Sequence, residues 1–177
     1  VATSYNLWMP DYNRTKALYN QVLEQMQAER SLRNQLAAQQ LIAESENAFL
    51  DITLADAKGQ MQSLSQYRGK VIVLDFSSTE MEQYVAYNFE LRELYNQYHK
   101  QGLEIYSVGI ERNLLAWEEA TENLPWLTVR ALDNEITEVL TRYNVQSLPT
   151  LFLFDKEGNV QGRYTDFTAL EADINKY

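Results

Sequence analysis

Hydrophobic and polar positions follow one rule up to about residue 47 and another beyond it. No glycine or proline occurs between Asp11 and Lys58, and Tyr12, Tyr19, Val22, Leu23 and Met26 recur at three-, four- and seven-residue spacings. That spacing puts them on one side of an α-helix. Leu32, Leu36, Leu41 and Ile42 continue the stripe less cleanly, and Gln, Glu, Ala and Arg, all good helix formers, fill most of the rest. The pattern predicts a helix starting at Asp11, just after Pro10. About 35 helical residues would extend about 50 Å, more than a small domain is wide, so a break or a protruding half is expected. Arg30, Arg33, Gln39 and Gln40 interrupt any strict heptad and argue against a sustained coiled coil.

From about Ala48 short strand-like and helix-like pieces alternate. Phe49 to Leu54, a turn at Asp56-Ala57-Lys58-Gly59 and Gln60 to Leu64 fit a hairpin. Val71-Ile72-Val73-Leu74-Asp75-Phe76 is apolar on both faces, as expected of a central strand covered by helices on each side. Glu82 to Lys100 reads as a helix through Tyr84, Tyr87, Leu91, Leu94, Tyr95 and Tyr98. Leu103 to Ile110 is a second central strand, and a helix begins at Leu114. A short strand at Thr128–Leu132, a helix from Ile136 to Tyr143, a hairpin of Thr150–Phe154 and Val160–Tyr164, and a final helix through Phe167, Leu170 and Ile174 complete the chain. The fold class is α/β with a terminal hairpin, preceded by an N-terminal helical arm. The expected division is a helical segment at 1–47, the end of a larger upstream region, and a domain at 48–177. Val1 is not Met, so a mature or excised segment is expected, with any signal or anchor lost to view.

Composition narrows the function. With 177 residues, 45% hydrophobic and 23% charged, the chain can bury a core. Its longest apolar runs stop far short of the roughly 20 residues of a membrane span. Fifteen basic against 25 acidic residues, net −10, argue against nucleic acid, which needs a basic face. Zero cysteines exclude disulfides, thiolate-bound zinc, iron–sulfur clusters and every thiol nucleophile. His99, the one histidine, sits at the polar end of a helix before Gly102, where a cation suits the helix dipole. A multi-histidine metal site is impossible, and no metal or cofactor is expected.

Leu64 to Phe76, followed by Tyr143-Asn144-Val145-Gln146-Ser147-Leu148-Pro149-Thr150 and by Asp155-Lys156-Glu157-Gly158-Asn159-Val160, resembles in order and spacing the thioredoxin-like fold. Within it the similarity is to extracytoplasmic thiol-disulfide oxidoreductases and related peroxide-reductase-like proteins, over about 48–177. The resemblance implies a thioredoxin-like central mixed sheet flanked by helices. It makes Pro149 the family's cis-proline and Asp75 the counterpart of a buried acid. It also implies a Cys-x-x-Cys at the start of the helix after the first central strand. Counting from Phe76 through Ser77-Ser78-Thr79-Glu80, the two cysteine positions fall on Met81 and Tyr84. Methionine cannot exchange disulfides, and a tyrosine with a pKa near about 10 is a poor nucleophile. Glu80 and Glu82 place negative charge where relatives stabilise a thiolate. Ser77, Ser78 and Thr79 have no base to activate them and suit loop and cap duty.

Two non-enzymatic functions follow as expectations, ahead of a thiol-disulfide oxidoreductase-type role that the resemblance alone implies. A groove of Glu80, Met81, Tyr84, Leu148 and Pro149 holds a protein or peptide segment without reducing it, or Met81 and Tyr84 merely plug the former site. Asp75 is either a structural leftover satisfied by hydrogen bonds or a polar contact under that groove. Alternatively, residues 11–47 drive self-association or dock on an upstream domain, with the rest as scaffold. Disulfide reduction is not expected without a thiolate, and an envelope or periplasmic location follows from the resemblance alone.

Overall fold

A computed structural model describes the backbone of residues 2–45 and 50–177, with side chains over 11–40 and 50–177. The chain divides into two units, Val1–Gln39 and Gln40–Tyr177. The elements are α1 (Ala2–Ser45), β1 (Thr53–Asp56), β2 (Met61–Ser63), β3 (Val71–Ser77), α2 (Tyr84–Tyr98), β4 (Leu103–Ile110) and α3 (Leu114–Thr121). They continue with β5 (Leu127–Ala131), α4 (Asp133–Arg142), β6 (Thr150–Phe154), β7 (Val160–Tyr164) and α5 (Phe167–Ile174).

The first unit corrects two expectations. α1 begins at Ala2 instead of Asp11, and it runs 44 residues unbroken, so of the break or protruding half expected the break does not occur. Pro10 lies inside the helix; a proline there removes one intrahelical hydrogen bond, and the long run of strong helix formers that follows supplies many. Tyr12, Tyr19, Val22, Leu23 and Met26 are exposed, as are Leu18, Leu32 and Leu36. At about 100° per residue the first five share one face, whereas the last three lie about a third of a turn away, so the apolar stripe drifts around the helix.

In the second unit seven strands form one sheet in the order β2-β1-β5-β4-β3-β6-β7. β3, β4 and β5 run parallel, which requires the crossover helices α2 and α3. β6 returns antiparallel to β3, β7 to β6, β1 to β5 and β2 to β1. The turn between β1 and β2 is closed by Gly59 at φ 77°, a conformation that costs residues with a Cβ.

Alternation along β3 divides the core in two. Ile72, Leu74 and Phe76 join Tyr106, Phe152, Val139 and Tyr143 on the α4 side. Val71 and Val73 join Tyr87, Leu91, Leu94, Leu170 and Ile174 on the α2 and α5 side. All seven residues of β3 are buried, which explains its double-faced apolar run. Asp75, an odd-numbered position, therefore falls on the α2 side. α4 starts three residues earlier than its apolar spacing predicts, because Glu135 folds back to accept the backbone N–H of Leu132 at 2.8 Å. His99 closes the end of α2, with Nδ1 3.1 Å from the carbonyl of Leu103 and its ring stacked on Tyr95.

Candidate functional site

The C-terminal end of β3 delivers its chain into a loop, residues 78–83, that leads to α2. Two carboxylates hold this region. Asp75 is 1% exposed and accepts three hydroxyls: Tyr87 from α2, Ser107 from β4 at 2.8 Å, and Ser77 at 3.1 Å. β4 lies in parallel register with β3, pairing Asp75 with Ser107, and Trp126 Nε1 in turn donates to Ser107 Oγ at 2.9 Å. Burial pushes the Asp75 carboxyl up to about 6, against the opposing pull of its three donors. Glu111, also 1% exposed, follows β4 and accepts the backbone N–H of Thr79, Thr79 Oγ1 at 2.8 Å and Ser78 Oγ at 3.4 Å. The hydroxyls of residues 77–79 are thus donors to buried acids, and among the described residues no histidine or lysine bonds to them to make a nucleophile.

Met81 and Tyr84 point to different places. Met81 lines an open groove of about 460 Å³ together with Leu148, Pro149 and the ring of Tyr87, closed on its far side by Thr165 to Thr168 at the start of α5. Tyr84, the first residue of α2, turns inward and lines a small interior cavity with Asp75, Ser107, Glu111 and Trp117. Burial raises its hydroxyl above the ordinary tyrosine value. Trp117 can close that cavity because Gly109 has no side chain: a Cβ there would stand 2.6 Å from Trp117 Nε1. Glu80 is exposed in the loop and lines neither space. The structure therefore brings Met81, Leu148 and Pro149 together and gathers Tyr84 with Asp75 beneath them. The Leu148–Pro149 peptide bond is cis. Among the described residues no cluster of His, Asp and Glu could hold a metal ion.

Residues 69–160 match the model of a family described as thioredoxin-like. That stretch takes in the Asp75 strand, the Met81 loop and the Pro149 turn. The chain belongs to the thioredoxin-like family. It is 38% identical over 130 residues to thiol-disulfide oxidoreductase ResA of Geobacillus kaustophilus, covering 72% of each chain. The ResA of Bacillus subtilis is 29% identical, with 80% of this chain and 77% of that one aligned. Among solved structures, a thioredoxin-like protein of Bacteroides vulgatus superimposes with a TM-score of 0.66 at 35% identity, covering 73% of this chain and 85% of that one. This thioredoxin-like domain has no cysteine, so thiol-disulfide exchange has no sulfur nucleophile in it.

Several residues of the site escape sequence reasoning. Glu111, Ser107 and Trp126 carry no local signal, since each acquires its role only when β4 and β5 are laid beside β3. Tyr87 was visible as a helix-face residue, but its hydroxyl's partner was not. The far wall of the groove, Thr165 to Thr168, lies more than eighty residues beyond Met81.

Proposed function

We propose that this is a non-catalytic member of the thioredoxin-like family that holds a protein or peptide segment in the groove over Met81, Leu148 and Pro149. One observation carries the reading: the groove is open, with Met81, Leu148, Pro149 and Phe167 in its lining, while the hydroxyls of Ser77 at the end of β3 and of Ser78 and Thr79 in the loop are engaged by Asp75 and Glu111. An adaptable methionine and a fixed proline make contact surface without chemistry. Peptides selected by phage display against the full chain and titrated into isotope-labelled protein are expected to shift the amides of Ala86, Thr165 and Thr168. Their affinity should fall about tenfold, or about 1.4 kcal/mol, on Met81→Lys. Selection of no peptide, or of peptides indifferent to Met81→Lys, would overturn the reading. Purified protein should not reduce insulin disulfides; stoichiometric reduction would overturn the non-catalytic part. The resemblance to extracytoplasmic oxidoreductases supports an envelope location, which cell fractionation tests: recovery in the cytosol alone counts against it.

A second reading is favoured by the exposed stripe of Tyr12, Tyr19, Val22, Leu23 and Met26, an apolar face larger than isolated surface residues produce. It makes α1 a self-association element. Sedimentation velocity on the full chain should show an oligomer that the double variant Val22→Glu/Met26→Glu reduces to monomer. A monomer before substitution would eliminate this reading.

A further inference from the structure

The groove's chemistry is lopsided. Met81, Ala86, Leu148, Pro149 and Phe167 are its apolar lining, yet the charged residues that line it are all acidic: Glu82 and Glu90 on the α2 side, Asp166 on the α5 side. Among the described residues, no lysine, arginine or histidine lines it. All three acids are exposed, so none is needed to satisfy a buried donor. Asp166 also caps α5, with Oδ1 accepting the N–H of Ala169 at 3.0 Å, a bond that a carboxylate makes without giving up its charge. Carboxylates thus line the groove from both its α2 and its α5 side, beside its apolar residues. Like charges held around one groove repel one another, and a cationic occupant relieves that repulsion while an anionic one adds to it.

Resting on the reading of the groove as a peptide site, we infer that its occupant is an extended segment with one bulky apolar side chain flanked by lysine or arginine. The apolar side chain sits over Met81, Leu148 and Pro149, and the cations reach Glu82 and Glu90 on one wall and Asp166 on the other. Long aliphatic stems on those cations also lie against the apolar lining.

The test uses the full chain and three fluorescent peptides that share one central tryptophan and differ only in flanks of Lys, Gln or Glu, compared by anisotropy. The Lys-flanked peptide is expected to bind at least about threefold more tightly than the Gln-flanked one, and the Glu-flanked peptide more weakly than either. The preference should shrink as salt rises to about 0.5 M, where screening is short-ranged. The triple variant Glu82→Gln/Glu90→Gln/Asp166→Asn should erase the preference yet keep the Gln-flanked affinity, since asparagine caps a helix as well as aspartate does. An equal loss of charge on α3 and its C-cap, Glu118→Gln/Glu119→Gln/Glu122→Gln, should leave the preference intact. Equal binding of Lys- and Gln-flanked peptides, both weakened by Met81→Lys, overturns the charge inference and leaves the groove standing. A preference that the α3 variant removes as fully as the rim variant also overturns it, because the attraction then belongs to the acidic surface at large. Absence of any Met81-dependent binding removes the groove reading itself.

Discussion

Replacing Asp75 by asparagine tests the physics under the groove. The carboxyl is buried, and its folded value near 6 stands about two units above the ordinary 3.8. At about 1.4 kcal/mol per unit, ionising it in the folded protein costs about 3 kcal/mol more than ionising it in the unfolded chain. Between pH 4 and pH 6 the folded state keeps a proton that the unfolded state has released. Stability due to this group is therefore highest at or below pH 4 and is lost as pH rises through 6. The Asp75→Asn variant has no such proton to lose, so it should gain about 3 kcal/mol on the wild type between pH 4 and pH 7. Taking the difference between the two proteins cancels the other titrating groups. Urea denaturation followed by tryptophan fluorescence is suited to the measurement, since Trp117 and Trp126 are buried and Trp126 ends the hydrogen-bond chain from Asp75. A difference that stays constant with pH would refute the reasoning. A wild type that gains on the variant as pH rises would show that the three hydroxyl donors outweigh burial.

The same network yields three further expectations. Tyr87→Phe keeps the ring in the groove and against Phe167 but removes a donor to a buried carboxylate. It should cost about 1.5–3 kcal/mol at pH 7 and less at pH 4, with peptide affinity unchanged; an equal cost at both pH values in the urea series would contradict the assignment. Glu111→Gln removes the charge that Thr79 and Ser78 donate to, so stability should drop by about 1–2 kcal/mol and the Thr79 amide should exchange about tenfold faster. Unchanged exchange would mean that the loop is held by something else. Gly109→Ala drives a Cβ to within 2.6 Å of the Trp117 ring, which is buried and cannot swing away cheaply. A loss of about 1–3 kcal/mol and an altered near-ultraviolet tryptophan signal are expected, and an unshifted melting temperature would count against that packing.

The strands were legible because burial on both faces leaves an unmistakable trace: β3 and β4 are nearly continuous apolar runs, and Asp75 stands out as the one acid in its run. Met81 and Pro149 were singled out through the thioredoxin-like resemblance, which rests on local chain order around Phe76 and Leu148. What could not be read depends on which strands become neighbours. Ser107 acquires its role from parallel register with Asp75, and Glu111 from the point where β4 ends beside the loop after β3. Tyr84 and Met81, three positions apart, were expected to share a groove. The backbone turns at residues 80–83 before α2 begins, and both side chains end half-buried, with Met81 on the groove and Tyr84 on the cavity beside Asp75. Pro10 misled for a different reason. A proline is favoured at the first turn of a helix, and in α1 it lies within one.

Losing a reaction and losing a binding surface are physically separate events. Thiol exchange depends on two sulfur atoms, whereas the groove is the outer surface of packing that the fold requires anyway. Tyr87 shows the overlap, since its ring lines the groove while its hydroxyl satisfies Asp75 in the core. Any chain that keeps Tyr87, Phe167 and the Leu148–Pro149 turn in place keeps a trough, whether or not anything occupies it. The open groove follows from packing, whereas the charges on its rim do not, so the rim is what sets recognition apart from packing. Glu82 and Glu90 are exposed and the core has no use for them. Removing them should cost the fold within about 0.5 kcal/mol, the range of ordinary surface substitutions. If their removal also changes which peptide is held, the rim acts in recognition, and the groove is a binding site in its own right and not a by-product of packing.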